Sequence, residues 1–156
     1  MNESIGGSLL LNLVIIIVGV MIAIFTASFA YTKAYRAKSI IIDEVQNHGI
    51  INTNDSEEIT TLAHTIDEQL TNMGYRKEGK KCPTKEGKKL IYPMSNNEAS
   101  YCIYEVEDID NTGSTNIYYE IQTYMFFDIP LIKFNLPIKG QTISFRTEVK
   151  DTEDDL

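Results

Sequence analysis

The chain has 156 residues, 43% of them hydrophobic and 23% charged, and a net charge of -8. That length holds one ordinary domain, which excludes a multidomain enzyme, a dinucleotide-binding module with a second domain, and a multispan transporter. The acidic balance excludes nucleic acid as the main partner, because neutralising phosphates takes a basic surface.

The hydrophobicity is concentrated at the amino terminus. Ile5 to Thr32 carries no charge, and roughly 120 residues remain beyond it, enough for one small core. As a helix, Leu9 to Tyr31 spans about 35 Å, which crosses a bilayer core of about 30 Å with some tilt. A buried soluble helix is a poor alternative, since such helices carry a polar face. A cleaved secretory signal is a second alternative, with Ser28-Phe29-Ala30 as its small-residue site, but no Lys or Arg precedes the apolar run. Inside the run, Asn12 is a polar amide that seeks a partner in lipid. Gly19, Ala23 and Ala27 recur every four residues and form a small-residue stripe that admits a second helix, unless the spacing is chance. After the run come Lys33, Arg36 and Lys38, while Glu3 and the free amine nearly cancel before it. The positive-inside rule therefore favours a cytoplasmic carboxy-terminal domain.

Helical spacing continues through Ala34, Ala37, Ile41 and Val45 to His48, with Gly49 as a C′ residue. A loop from Ile50 to Asn54 precedes a second helix, with Asp55 as its cap and Glu58 in the capping-box position. Ile59, Leu62, Ala63, Ile66, Leu70 and Met73 share the core face of that helix, and Gly74 ends it. His48 and His64 are isolated and read as surface or capping residues, not as ligands. From Tyr75 the pattern becomes β. Tyr101 to Glu107 alternates, with Cys102, Tyr104 and Val106 on one face. Asp110 to Ser114 is a turn cluster, and Asn116 to Phe127 is a second strand with Tyr119, Ile121, Thr123, Met125 and Phe127 on one face. Pro130 and Pro137 belong at edges or loops. Lys139-Gly140 reads as a turn into a last strand, Gln141 to Val149, and the acidic tail Asp151 to Leu156 reads as disordered. The fold class is α+β: a long amino-terminal helix, a second helix, then three to five antiparallel strands with the helices on one sheet face. The divisions are residues 1–32 (transmembrane helix), 33–49 (helical extension), 50–150 (head) and 151–156 (tail).

No catalytic motif stands out. The chain has no Gly-x-Ser-x-Gly, no phosphate-cradling Gly-x-x-x-x-Gly-Lys-Ser/Thr and no His-Glu-x-x-His. Glu105, Glu107, Asp108 and Asp110 depart from calcium-loop spacing and read as a solvated strand edge and turn. No metal or cofactor is implied, and an enzyme is not expected. Cys82 and Cys102 do not form Cys-x-x-Cys, so neither a zinc ribbon nor a thioredoxin-type site fits. One disulfide between them is favoured over two unrelated thiols, and closing a loop of about 20 residues is worth roughly 3 kcal/mol. A disulfide implies an oxidising, extracytoplasmic side, against the basic flank of the helix. Charge is also segregated. Arg76 to Lys89, with Lys77, Lys80, Lys81, Lys85, Lys88 and Lys89, carries +5, leaving -13 elsewhere. Such a segment suits head-to-tail docking on an identical neighbour or contact with anionic surface polymers, or it is a solvated loop.

Three stretches look familiar: Asn2-Glu3-Ser4-Ile5-Gly6-Gly7-Ser8 running into the apolar helix; Ala30-Tyr31-Thr32-Lys33-Ala34-Tyr35-Arg36-Ala37-Lys38 after it; and Phe126-Phe127-Asp128-Ile129-Pro130 with Leu136-Pro137-Ile138-Lys139-Gly140-Gln141-Thr142. With the overall layout, they resemble pilin-like proteins, most closely small TadE-like pseudopilins of tight-adherence (Flp) pilus and related type II secretion systems. The resemblance implies a non-enzymatic assembly role, with hydrophobic helices bundled and heads outward. It also implies a near-terminal Glu that pairs with a neighbour's amine, for which Glu3 is the candidate although it precedes the apolar run. Gly7 is the candidate processing site, but no basic residue precedes it and the fifth residue after it is Asn12 where the pattern favours Glu. A filament subunit and an uncleaved accessory subunit therefore both remain. The expected partners are the membrane and pilin-like subunits, reached through Asn12, Gly19, Ala23 and Ala27, with an extracytoplasmic head at the cell membrane or in a surface filament. The rival is a single-pass, membrane-anchored binding module whose head, from about Ser39, takes a ligand or surface polymer through Tyr118, Tyr124 and Phe126.

Overall fold

The computed structural model describes residues 2–94, 98–109, 114–129 and 132–147. Asp110 to Gly113 of the expected turn, Pro130, the end of the expected last strand and the acidic tail lie outside them. The first element, α1, runs unbroken from Asn2 to His48, 47 residues or about 70 Å. No Pro interrupts it, and it stops where Gly49 takes φ 88° and donates its N–H to Val45 O at 3.1 Å, a left-handed residue that glycine adopts without a Cβ penalty.

Helix α2 spans Ser56–Asn72. Asp55 caps it, its Oδ1 accepting from Glu57 N at 2.9 Å and Glu58 N at 3.2 Å. Glu58 reaches past the expected capping-box position: its Oε1 accepts from Asn52 N at 3.2 Å and lies 3.6 Å from His48 Nε2. Gly74, at φ 70°, turns the chain out of α2.

The strands are β1 (Lys80–Lys81), β2 (Lys89–Tyr92), β3 (Glu98–Ala99), β4 (Tyr101–Ile109), β5 (Thr115–Ile129), β6 (Ile132–Gln141) and β7 (Phe145–Thr147). β1 and β3 form a small ribbon. The main sheet is antiparallel with order β2-β4-β5-β6, and β7 also pairs with β5. The fold is α+β with both helices packed on one sheet face. Two expectations are corrected. Lys139-Gly140 is not a turn but part of β6, with Gly140 opposite Ile121. Its Cβ would lie 2.7 Å from Lys38 Cδ and 2.8 Å from Ile42 Cδ1, so the glycine is where the edge strand meets α1. The chain turns later, around Thr142, whose hydroxyl accepts from Tyr119 N at 3.0 Å. Glu105 is not a solvated strand residue. β4 is an inner strand buried on both faces from Tyr101 to Val106, and Glu105 is 7% exposed.

The core fills the space between the outer half of α1, α2 and the sheet. Ala34, Ala37, Ile41 and Val45 are buried along one face of α1, opposite Ile59, Leu62, Ile66 and Leu70 of α2 and Tyr101, Ile103, Tyr119 and Ile121 of the sheet. β5 runs down α1 toward its amino-terminal half. Tyr119 Oη accepts from Ile51 N at 2.8 Å, Thr123 Oγ1 lies 3.4 Å from Ala34 O, and Phe126 shares a groove with Thr26, Phe29 and Ala30. A head cut at Ser39, as the binding-module reading supposed, would lose Ala34 and Ala37 from its core.

Ile41→Ala should therefore destabilise the head by about 2–5 kcal/mol, read as a lower urea midpoint in the detergent-solubilised chain. Ile15→Ala, on the unpacked half of α1, should leave that midpoint unchanged.

Candidate functional site

The first candidate is the amino-terminal half of α1. From Leu9, 66% exposed, to Phe29, 70% exposed, its large hydrophobic side chains are all exposed. An 18-residue window here has a mean hydropathy of 2.9 and no buried residue. The helix is thus long and apolar enough to cross a membrane. At about 100° per residue, Asn12, Gly19, Ala23 and Ala27 fall within roughly 80° of arc, the same arc that carries Ala34, Ala37, Ile41 and Val45. The small-residue stripe therefore lies on the head side of α1, directly below the packed face. A Cβ added at Gly19 would find nothing within 4 Å, and the same holds at Gly7. Glu3 lies in the first turn of α1.

The second candidate is the disulfide and the basic segment around it. Cys82 and Cys102 are bridged, with Cα atoms 5.8 Å apart. The bridge sits on the sheet face opposite the helices, in a cluster with Tyr104 and Tyr124, and pins residues 75–88 across that face. Two of the lysines around it, Lys85 and Lys88, are drawn inward, while Lys77, Lys81 and Lys89 are exposed. Lys85 and Lys88 both pair with Glu120, and Lys85 also stands 4.1 Å over the Tyr104 ring. Lys80 pairs with Glu78 at 3.1 Å, Lys77 lies 3.9 Å from Asp67, and Lys89 donates to Thr53 Oγ1 at 2.7 Å. Lys81 is exposed in β1. Glu120 was not singled out from the sequence. It alternates with buried residues and faces the side that the loop folds over, a contact between residues far apart in the chain.

Burial pushes the Glu120 carboxyl up, but the hydrogen bonds and charges of Lys85 and Lys88 outweigh it and hold the carboxyl below its usual value. Glu105 goes the other way: burial raises it, Lys89 opposite it in β2 offsets part of that, and Glu107 adds to the rise. Tyr75 is pushed up to about 12 by burial, while its Oη donates to Tyr124 O at 2.7 Å.

The third candidate is a groove where α1 leaves the apolar stretch. Thr26, Phe29, Ala30 and Lys33 of α1 form one wall, and Gly74, Tyr75, Arg76, Tyr124 and Phe126 form the other. Lys33 Nζ donates to Gly74 O at 3.5 Å across the groove, and the Arg76 guanidinium stands 5.4 Å over the Phe126 ring. The proposed aromatic ligand face does not form as expected: Tyr124 is 8% exposed and packs on the disulfide, and Tyr118 and Phe126 are half-buried. Among the described residues no group of His, Cys, Asp and Glu is arranged to hold a metal ion.

Replacing both cysteines by Ser should cost the head about 3 kcal/mol, as expected for a loop of this length, measured against wild type by urea unfolding without reductant. The two carboxylates should respond to pH with opposite signs. Glu120 stabilises above its unfolded pKa, and that gain is lost as pH falls through its lowered folded value. Glu120→Gln should therefore be less stable than wild type at pH 7, with the gap closing on acidification. Glu105 destabilises while charged, so Glu105→Gln should be more stable at pH 7, and that gap too should close as pH falls. Urea midpoints between pH 7 and pH 3 read both.

No protein family, curated protein or solved structure matches this chain.

Proposed function

We propose that this chain is a non-enzymatic, single-pass pilin-like subunit or accessory protein, of the TadE-like pseudopilin kind, that assembles through its hydrophobic helix. The observation that carries the reading is the division of α1: one unbroken helix whose outer half is the spine of the head and whose apolar half leaves its large hydrophobic side chains exposed. A membrane anchor alone needs only apolarity. An assembly helix also needs a face for a neighbour, and the Gly19, Ala23 and Ala27 stripe with Asn12 supplies close approach and a hydrogen-bonding amide. Because the stripe continues the head-packed face, a neighbouring helix seated there would run up beneath the head.

The reading puts the head on the extracytoplasmic side. The disulfide supports this, since such bonds persist in oxidising compartments. The basic residues after the apolar run are the counter-argument, but they have work in the fold. Lys33 bonds the Gly74 carbonyl, and Lys38 stands 3.9 Å over the Tyr35 ring and packs on Gly140. Lys33 and Lys38 therefore need no topological signal to explain them, which leaves Arg36 as the remaining charge of the flank. The membrane-anchored binding module is weakened by the burial of Tyr124, which removes the centre of its ligand face.

Gly19→Leu/Ala23→Leu keeps the helix apolar and leaves every head contact in place. It should abolish co-purification of the membrane partners, or self-association, while the disulfide-bonded head still melts as wild type does. Undiminished association in the double variant would remove the stripe from the assembly, and a shared loss of association and head stability would point to misfolding instead.

A further inference from the structure

We propose that the groove between α1 and the underside of the head binds the headgroup of an anionic phospholipid, with Lys33 and Arg76 on the phosphate and the acyl chain laid along Thr26, Phe29 and Ala30. The inference rests on the reading of α1 as a membrane span. Position is the first argument. Leu9 to Phe29 covers about 30 Å of helix, the thickness of the hydrocarbon core, and Lys33 sits about one turn, roughly 6 Å, further on, at headgroup depth. A lipid of that leaflet reaches the groove without leaving its layer.

The second argument is chemical. The lower end of the groove is apolar. Thr26 spends its hydroxyl on Ile22 O at 2.9 Å, leaving Phe29, Ala30 and Phe126 to face a chain. The upper end is cationic. Lys33 uses one donor on Gly74 O, and Arg76 pairs with Glu78 at 2.8 Å in an exposed contact, a carboxylate that Lys80 also holds at 3.1 Å. Lys33 and Arg76 thus bring two cations to the lining of the groove. A zwitterionic lipid gains little there, while an anionic one matches both ends. Arg suits phosphate in particular, because its planar fork presents paired donors.

The test uses the full chain, purified in detergent and placed in nanodiscs of phosphatidylcholine with or without phosphatidylglycerol, with retained lipid counted by native mass spectrometry. Wild type should keep phosphatidylglycerol in preference to phosphatidylcholine by on the order of tenfold. Lys33→Gln/Arg76→Gln should lose that preference, while Lys81→Gln/Lys139→Gln, with the same change in net charge on exposed lysines elsewhere, should retain it. Inorganic phosphate in excess should not displace the lipid. Equal retention of the two lipids, equal loss in both double variants, or displacement by phosphate would each overturn the site while leaving the span intact. A chain that stays soluble without detergent and enters no nanodisc would overturn the span and the lipid site together.

Discussion

The seating of the head on the outer half of α1 is the contact on which the rest of the structure depends. It is made by small residues. Ala34 and Ala37 let the sheet approach the helix backbone, Thr123 comes within 3.4 Å of Ala34 O, and Gly140 leaves room for Lys38 and Ile42 where a side chain would collide. Ile41 and Val45 then carry the same face into the centre of the core. Because α1 has no break, this docking also fixes where the head stands relative to the apolar half. A kinked helix or a flexible linker would have left the two parts independent.

The polar groups of the core reinforce that docking. Buried phenols need hydrogen-bond partners, and here the partners lie on other elements. Tyr119 accepts from Ile51 beyond the end of α1, and Tyr75 after α2 bonds both the N–H and the carbonyl of Tyr124 in β5. The opposite sheet face is closed by chain instead of helix. The Cys82–Cys102 bridge and the two lysines on Glu120 hold the basic segment down over Tyr104 and Tyr124. Lys85 and Lys88 are thereby spent on Glu120 within the head, while Lys77, Lys81 and Lys89 stay exposed.

The helices were legible because their signals are local. An uncharged apolar run, the continued spacing to Val45, Gly49, and the Asp55 cap all act within one or two turns, and the alternation of β4 and β5 is equally local. What escaped depends on contacts between distant residues. β2, a four-residue strand beginning at Lys89, has too little pattern to announce itself. Gly140 carries a turn signal, yet its lack of a side chain serves α1, roughly a hundred residues earlier in the sequence. Glu105 and Glu107 alternate with apolar residues as solvent-facing positions should, but Glu105 shares the helix-side face of β4 with Tyr101 and Ile103 and lies opposite the buried Tyr119, so packing on that face buries it. Tyr124 fails as a surface aromatic because the basic segment folds over the other face. Among the candidate assembly residues, the spacing of Gly19, Ala23 and Ala27 was visible, but not that their face is the one the head occupies above. That relation follows only from knowing which side of α1 the sheet covers.

Thiol mapping along α1 tests the central claim most directly, that one helix divides into a membrane-embedded half and a half that carries the head. The native disulfide stays intact, so a single introduced cysteine reports alone. Substitutions at Ile15, Val18, Ile22, Tyr35, Asp43 and Asn47 would be exposed to a membrane-impermeant maleimide in intact cells and after lysis. Protection at the first three positions under both conditions is expected, with labelling at the last three in intact cells. Labelling at Ile15, Val18 and Ile22 as rapid as at Asp43 would contradict the embedded half, and labelling at Asp43 only after lysis would contradict the extracytoplasmic head.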